Sequence, residues 1–463
     1  MTATSNTWLK RFVNKLLFSD KEYKHIAPLA IFRIAFGAIM LISTIRFLLK
    51  GWVYNFYVLP KLFFPFYGFE WIKPLPETGM YLVFAIMLIA SLCIMIGFFY
   101  RIAIITFFIS FVYVELIDKT YYLNHYYVIS IITFLLLFVP AQRYFSVDVF
   151  RKPSLKVTHV PAWTIDIFKW QICLIYFFAG IAKLNYDWLF RAMPLKIWLP
   201  ANGYLPVIGP LLTQVWIAYL FSWFGALFDL TVWYLLLRKQ TRNIAYIVVV
   251  IFHVFTGWLF TIGMFPYIMI FITIIFFSED LHIRAIHFLQ NIFYKKEHNQ
   301  AEQTVYFNFP EKRQQFLYGM LAVYMATQII LPFRYLLYPG DLYWTEEGYR
   351  FSWRVMLMEK GGTTFFHVKD PKTGTRIEIM NAQYLTPFQE KMMETQPDMI
   401  LQYAHFIHDE YKKKWVDDPI VTVESYVTLN GSGSMLYIDS TVDLSKEKEN
   451  FLPKKWVRPF SSQ

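Results

Sequence analysis

Long apolar runs dominate this sequence and decide what kind of structure the chain can form. A helix needs about 20 predominantly apolar residues to cross a lipid bilayer. Nine runs of this character occur, and we expect the chain to cross a membrane about nine times. With soft edges they cover residues 27–49, 80–99, 102–117, 123–140, 164–182, 216–237, 244–260, 264–277 and 315–332. The eighth run is short, so we expect it to be re-entrant or buried by its neighbours.

The composition indicates an integral membrane protein. Hydrophobic residues make up 56% of the chain and aromatic residues 20%, more than soluble domains carry. The two cysteines, Cys93 and Cys173, lie inside apolar runs, which argues against a disulfide framework and excludes a four-cysteine zinc site. The formal net charge of +11 is not interpreted as nucleic-acid binding, because the basic residues gather in particular loops between the runs.

The positions of these basic loops predict the orientation of the chain. Basic residues cluster at the N-terminus and in segments 143–156, 238–242 and 278–314. With nine spans, all four clusters fall on one side of the membrane, which the positive-inside rule makes cytoplasmic. We therefore expect a cytoplasmic N-terminal segment, 1–26, without a cleavable signal peptide. A transmembrane catalytic bundle, 27–339, should follow it.

The sequence becomes polar beyond the last apolar run, and residues 340–463 are expected to form an exoplasmic domain. Turn signals such as YPGD, DPKTGT and NGSGS separate short alternating stretches that are typical of strands. A helix is predicted near residues 389–414. The predicted strands cover 365–368, 376–380, 420–429 and 435–439. The predicted fold is an integral membrane α-helical bundle with a C-terminal, largely β exoplasmic domain.

Charged groups in the apolar runs predict a functional pocket. Each costs on the order of 2.5–3.5 kcal/mol to place in a membrane, so each needs a reason. The densest cluster is ELIDKTYYLNHYY, residues 115–127. In the nine-span arrangement Asp118, His125 and Lys183 lie at the outer ends of their spans, and His253 lies about two turns deeper. A polar pocket that opens outward follows from this placement.

Each of these residues also has a simpler interpretation. A lysine at a helix end usually extends to the membrane surface, and tyrosines at this depth commonly form an aromatic belt. Asp118 and Lys119 could form an interfacial ion pair, and His253 could make an interhelical hydrogen bond. His405 and His408 resemble half of a zinc site, but a surface helix explains them, and no metal is expected.

Several segments resemble the vitamin K-dependent γ-glutamyl carboxylase family. They occur in order and with similar spacing over nearly the whole chain: FRIAFG (32–37), KPLPETGMYLVF (73–84), IDKTYYLNHYY (117–127), RYFSVD (143–148), YFFAGIAKLNYDW (176–188), FTIGMFPYIMI (260–270), WTEEGYRFSWRVML (344–357) and FLPKKWVRPF (451–460). The resemblance implies a peptidyl-glutamate 4-carboxylase, a lyase. Such an enzyme oxidises vitamin K hydroquinone, a reduced naphthoquinone, with O2 to its epoxide. It couples this oxidation to the carboxylation of peptide glutamate with CO2.

The resemblance also implies roles for individual residues. Lys183 and His125 match the catalytic lysine and histidine of the family. An apolar pocket disfavours the charged ammonium, so a lysine held there is a better base than an exposed one. Contacts to the quinol or the substrate are expected from Asn124, Asp118, Lys119, Trp188, His253, Phe265, Trp353 and Met356.

Some features depart from the family pattern and leave alternatives open. The chain is shorter than the vertebrate members, and their cysteine bridge has no counterpart in it. These departures suggest a bacterial member, whose outer domain would be periplasmic. The expected partners are the lipid bilayer, the naphthoquinol and a glutamate-containing peptide or protein, and nucleic acid is excluded. One alternative is a quinol epoxidase that acts on a non-glutamyl substrate, and the other is a non-catalytic membrane scaffold.

The segment TEEGYRFSWRVM is expected to lie at the outer mouth of the bundle. Tyr349, Phe351 and Trp353 occupy every second position, which predicts a strand with all three aromatic rings on one face. We expect that face to cap the pocket and to present a peptide glutamate to it.

Overall fold

The computed structural model describes residues 22–260, 262–294, 303–414 and 417–461. Most of the predicted N-terminal segment, with its basic residues, lies outside the described residues. In the described part of the chain, ten helices of eight or more residues precede the C-terminal domain: α1 (Ala27–Leu49), α2 (Glu77–Ile96), α3 (Tyr100–Ile117), α4 (Asn124–Leu136), α5 (Trp163–Ala182), α6 (Val215–Leu237), α7 (Arg242–Leu259), α8 (Phe265–Ile272), α9 (Glu279–Tyr294) and α10 (Glu311–Ile330).

Every predicted apolar run is helical, which confirms the helical membrane bundle. Among the described residues, seven helices are long and apolar enough to cross a membrane: α1, α2, α3, α5, α6, α7 and α10. The other two, α4 and α8, are shorter apolar helices. The run predicted for 123–140 ends as a helix at Leu136, and Pro140 follows it closely. A proline disfavours helical geometry at the residue before it, so the helix ends early.

The C-terminal domain is built on an antiparallel sheet, as predicted. Its strands are β3 (Lys360–Lys369), β4 (Arg376–Ile379), β5 (Ile420–Leu429) and β6 (Met435–Leu436), after two short strands earlier in the chain. The order in the sheet is β4-β3-β5-β6. Along β5, Val421, Val423 and Val427 are fully buried, because alternate residues of a strand share one face. Two helices, α11 (Pro387–Met393) and α12 (Pro397–Lys414), occupy the predicted helical region.

Short helical segments connect these elements. They cover Trp52–Tyr57, Lys119–Tyr121, Val147–Arg151, Pro153–Leu155, Tyr186–Arg191, Leu195–Trp198, Pro200–Asn202, Gly209–Leu212, Thr273–Phe276, Leu331–Leu337, Leu342–Thr345, Asn381–Gln383 and Leu444–Lys446.

The C-terminal domain packs on one end of the bundle, which we call the outer side. Tyr343 Oη donates a hydrogen bond to the Ala182 carbonyl at the end of α5, at 3.2 Å. Gln389 Nε2 donates to the Leu62 carbonyl in the loop after α1, at 2.7 Å. These contacts fix the domain directly above the outer ends of the helices.

The opposite, inner side has its own small sheet. Strand β1 (Tyr23–His25) pairs antiparallel with β2 (His159–Pro161). Nearby, the buried guanidinium of Arg33 donates to the carbonyls of Ile94 and Met95 at the end of α2, at 3.0 and 2.9 Å. The last carbonyl groups of a helix have no hydrogen-bond partners within that helix. The carbonyls at the end of α2 can therefore accept the hydrogen bonds that stabilise the Arg33 charge inside the apolar helix α1.

The predicted strand at Tyr349, Phe351 and Trp353 is wrong. Residues 346–356, which we call the strap, form turns instead, and Phe351, Trp353 and Met356 adopt left-handed φ angles of 60°, 58° and 55°. The rings of Phe351 and Trp353 both pack on Tyr127 of α4, with centroid distances of 5.0 and 4.8 Å. Packing against the bundle therefore overrides the local preference for a strand.

Candidate active site

Lys183 stands at the C-terminal end of α5 and is buried between helices. Its Nζ lies 2.6 Å from Oδ2 of Asp229 on α6, and the side chains of this pair are only 8% and 7% exposed. A Cβ on Gly180 would lie 2.8 Å from the Leu230 backbone nitrogen. The small residues before Lys183 therefore allow α5 and α6 to approach closely. Lys183 points at α6 and does not extend to the membrane surface.

The charges of Lys183 and Asp229 compensate each other. A charge buried in an apolar environment is very costly unless an opposite charge and hydrogen bonds compensate it. Asp229 supplies that charge through a short, charge-assisted hydrogen bond. The Ala179 carbonyl lies 3.4 Å from the same Nζ, and the Trp188 ring centroid lies 5.4 Å away. The Lys183 ammonium is thus held by three different elements of the site.

Lys183 and Asp229 line an apolar pocket between the helices. The pocket contains a cavity of about 90 Å³ and is bounded by α5, α6, α7, α8 and the strap. Most of its lining is apolar or aromatic. The larger apolar side chains in the lining include Trp188, Phe221, Phe252, Phe265, Met269 and Met356. Four of the predicted binding residues, Trp188, His253, Phe265 and Met356, are thus brought together with Lys183.

His253 of α7 also lines this pocket. Its Nε2 lies 3.0 Å from the Tyr176 hydroxyl. Its Nδ1 is buried and has no hydrogen-bond partner among the described residues. Buried polar atoms nearly always have a partner. The Nδ1 atom is consequently available to a molecule that enters the pocket.

His125 lies behind the pocket wall. The Phe265 ring stands between the two histidines, with centroid distances of 6.1 Å to His125 and 5.8 Å to His253. His125 is buried but does not line the Lys183 pocket. A Cβ on Gly263 would lie 3.8 Å from His125 Cε1. The loop before α8 therefore runs close to the imidazole.

Asp118 and Lys119 lie outside the pocket lining and do not pair with each other. Asp118 accepts hydrogen bonds from the Thr120 backbone nitrogen at 2.9 Å and from Gln389 Nε2 at 3.0 Å. Burial raises the pKa of Asp118 to about 6, although these hydrogen bonds oppose the shift. Lys119 Nζ instead forms an ion pair with Asp398 of α12 at 2.8 Å. Both residues connect the bundle to the C-terminal domain.

Asn124 and Trp353 both contact the region where the strap enters the bundle. Asn124 Nδ2 donates to the Arg354 carbonyl at 3.0 Å. Trp353 is almost fully buried and stacks on Tyr127. Neither residue lines the pocket, but their neighbours Val355 and Met356 do. Asn124 and Trp353 therefore hold the part of the strap that forms the pocket wall.

Asp229 and Tyr176 are site residues that were not predicted from the sequence. Asp229 carries a visible signal, since it is an acid inside the apolar run FGALFDLTVWYL, where an ionisable residue is a functional candidate. Tyr176 has no comparable signal, because an aromatic residue is ordinary in such a run. Only the fold shows that its hydroxyl reaches His253.

The histidines of α12 have structural partners. His405 Nε2 lies 2.8 Å from the Glu447 carbonyl, and His408 Nδ1 lies 2.8 Å from the Pro419 carbonyl. Within the described part of the chain, no cluster of three or more histidine, cysteine or carboxylate side chains could hold a metal ion.

Comparison with known families divides the chain into two parts. Residues 22–281 match the HTTM domain. Residues 313–463 match the vitamin K-dependent gamma-carboxylase, lumenal domain. The first match covers the bundle through the start of α9, and the second begins within α10 and includes the whole sheet. No solved structure matches the chain.

Proposed function

Because the chain belongs to the vitamin K-dependent γ-carboxylase family, we propose that it carboxylates peptide glutamate and oxidises a reduced naphthoquinone. It is a multi-pass membrane protein with a lumenal C-terminal domain. The observation that carries the proposal is the Lys183–Asp229 pair at the end of an apolar, aromatic pocket beneath that domain.

The pocket has the chemistry that a naphthoquinol needs. Its aromatic lining suits a flat, apolar double ring, while Lys183 Nζ and His253 Nδ1 offer polar contacts to hydroxyl groups. When bound, the quinol supplies the reaction with O2. The cavity of about 90 Å³ is smaller than the roughly 150 Å³ of a cavity known to admit benzene. We therefore expect the flexible Met356 side chain to move aside when the ring enters.

The Lys183–Asp229 pair can exchange a proton with a hydroxyl in the pocket. A proton can reside on Lys183 Nζ or on Asp229 Oδ2, and the 2.6 Å distance allows transfer between them. Neither arrangement leaves a single uncompensated charge in the apolar interior. The base is therefore the pair rather than an isolated amine, and both of its members line the pocket.

We assign supporting roles to the two histidines. His253 Nδ1, the unpaired polar atom of the lining, orients a hydroxyl by a hydrogen bond. His125 reaches the pocket after a shift of the Phe265 ring, which separates the two histidines. A hydrogen-bond donor that is aimed at developing negative charge typically contributes about 10²–10³ in rate. His125 therefore has a catalytic role in this proposal.

The strap would control access from the lumenal side. Val355 and Met356 form the pocket wall next to the C-terminal domain, and Trp353 holds them in place by stacking on Tyr127. A peptide glutamate would approach past this wall, while the closed wall excludes water from Lys183.

We also infer the orientation from the basic loops. The inner side carries segments 143–156 and 238–242, which the positive-inside rule places in the cytoplasm. The pocket then opens toward the exoplasmic side, which is the periplasm in a bacterial cell. A glutamate-containing peptide or protein would be met there.

The proposal is tested by incubating the purified chain with vitamin K hydroquinone, labelled bicarbonate and a glutamyl peptide. Wild type should form both epoxide and labelled peptide, and Lys183→Ala should form neither, because its pocket lacks the exposed base. A small exogenous amine at raised pH should restore part of the activity. Lys169→Ala is the matched control, since Lys169 lies on the same helix but pairs with Asp166 away from the pocket.

Two results would contradict the proposal. Full epoxidation by Lys183→Ala without added amine would remove Lys183 from the mechanism. Epoxide formation by wild type without label in any glutamyl peptide would replace the carboxylase with a quinol epoxidase. If neither product forms, the scaffold alternative takes its place.

A further inference from the structure

A second, larger cavity lies between the bundle and the C-terminal domain. This outer cavity has a volume of about 540 Å³, within the range of roughly 300–1,000 Å³ typical of ligand sites. Its walls come from the end of α3, the segment after α10, the start of the strap and the start of α12. Among the described residues, it shares no lining side chain with the Lys183 pocket.

The floor of the outer cavity is a neutralised network of charges. Lys119 Nζ lies 2.8 Å from Asp398 and 3.6 Å from Glu449. Arg350 Nη1 lies 2.7 Å from the same Asp398. Although burial opposes it, Arg350 and Lys119 hold the pKa of Asp398 well below its usual value. Two cations and two carboxylates therefore balance one another.

The remaining carboxylates of the lining are paired as well. Glu346 lies 3.0 Å from Lys360 Nζ. Glu347 lies 3.4 Å from Lys454 Nζ and also accepts from the Lys454 backbone nitrogen at 2.9 Å. No carboxylate of the lining is left to neutralise a further cation.

Arg334 differs from the other charged side chains of this lining, because it has no partner of opposite charge among the described residues. It lines the cavity and donates to the Arg350 carbonyl at 2.7 Å, but within the described residues it forms no ion pair. The cavity therefore carries one positive charge that an anionic ligand would neutralise.

The position of Arg334 in the structure indicates what kind of anion would bind to it. It belongs to Leu331–Leu337, which continues α10 and forms the end of the membrane-crossing helix Glu311–Leu337. Its neighbours Leu336 and Leu337 are 67% and 79% exposed. Such side chains face lipid at the boundary of the membrane, and an arginine beside them lies at the level of the phosphate groups.

We propose that the outer cavity binds one phospholipid of the outer leaflet. The phosphate is held by the planar fork of Arg334, which suits bidentate contact with phosphate. The acyl chains run along the apolar wall formed by Leu116, Leu331 and Leu337. This site does not depend on the proposed carboxylase chemistry, because it shares no residue with the Lys183 pocket.

A bound lipid would stabilise the conformation of the strap. Arg350 and Phe351 at one end of the strap line the outer cavity, and Val355 and Met356 at the other end line the Lys183 pocket. The left-handed residues of the strap, Phe351, Trp353 and Met356, are strained and need support from both sides. The lipid supplies that support on the outer side.

The test measures phosphatidylglycerol binding to the purified, delipidated full chain in detergent. Wild type should bind one phosphatidylglycerol, whereas diacylglycerol and inorganic phosphate, which each lack one half of the ligand, should bind far more weakly. Arg334→Gln should weaken binding about ten- to a hundredfold, as expected for the loss of a charged hydrogen bond. Lys50→Gln, which removes an exposed cation at the end of α1, should bind like wild type.

A second variant distinguishes a loss of lipid binding from a loss of folding. Leu337 is highly exposed, so Leu337→Asn should fold normally and still weaken phosphatidylglycerol binding. The proposal is overturned if Arg334→Gln binds as tightly as wild type. It is also overturned if diacylglycerol or inorganic phosphate binds as well as phosphatidylglycerol. Displacement of phosphatidylglycerol by a glutamyl peptide that requires Arg334 would assign the cavity to peptide instead.

Discussion

Replacing Asp229 by asparagine should destabilise the bundle strongly. The change leaves the Lys183 ammonium without its counter-charge, and the side chains of the pair are only 8% and 7% exposed, so water screens this loss very little. Breaking a buried ion pair by removing one partner typically costs about 3–5 kcal/mol. At about 1.4 kcal/mol per tenfold change, the ratio of folded to unfolded protein should fall by roughly two to four orders of magnitude.

The assay is equilibrium unfolding of the purified protein in mixed micelles. Asp417→Asn is the control, because Asp417 also forms an ion pair, with Lys372 at 2.8 Å, but with side chains 76% and 71% exposed. Exposed pairs contribute about 0–1 kcal/mol, so this control should unfold close to wild type.

A double variant separates stability from chemistry. Replacing Lys183 by methionine and Asp229 by leucine removes both charges, and apolar replacements of buried pairs are often neutral or stabilising. The double variant should regain wild-type stability while remaining inactive in epoxidation. If Asp229→Asn unfolds like wild type, the pair is not a compensated buried charge, and the proton-exchange role of Asp229 fails with it.

Three further predictions concern topology and coupling. A cysteine at Ser154 should be protected from an impermeant thiol reagent in intact cells while one at Thr363 is labelled, because the positive-inside rule predicts that the basic loops are cytoplasmic; the reverse pattern would invert the orientation. His125→Ala should lower epoxidation and carboxylation together by about 10²–10³, and unchanged epoxidation would make His125 merely structural. Trp353→Ala should lower carboxylation more than epoxidation, since it loosens the strap that Tyr127 holds; equal losses would refute a role for the strap in presenting glutamate.

The sequence was sufficient where local periodicity decides the structure. The apolar runs coincide with helices because length and composition alone determine a membrane-crossing segment. The strands β3 and β5 contain the predicted stretches 365–368 and 420–429, because alternating burial leaves a period of two in the sequence. Lys183 was found as a candidate from its place at the end of an apolar run and from family resemblance.

The sequence was insufficient where partners are distant along the chain. Lys183 and Asp229 are separated by 46 positions, and only the register between α5 and α6 brings them together. For the strap, the local pattern itself led to a wrong prediction, since its alternating aromatic residues are typical of a strand. Contacts between Phe351 and Tyr122, at 4.9 Å, depend on the assembled bundle and outweigh that local pattern. Lys119 likewise takes its counter-ion, Asp398, from the C-terminal domain.

The most direct measurement counts both products in one reaction. Purified wild-type chain is supplied with vitamin K hydroquinone, O2, isotopically labelled bicarbonate and a glutamyl peptide, and mass spectrometry follows the peptide while chromatography follows the quinone. We predict labelled γ-carboxyglutamate and epoxide that accumulate together, and loss of both with Lys183→Ala. Epoxide that accumulates while the peptide glutamate remains unlabelled would contradict the assignment as a carboxylase.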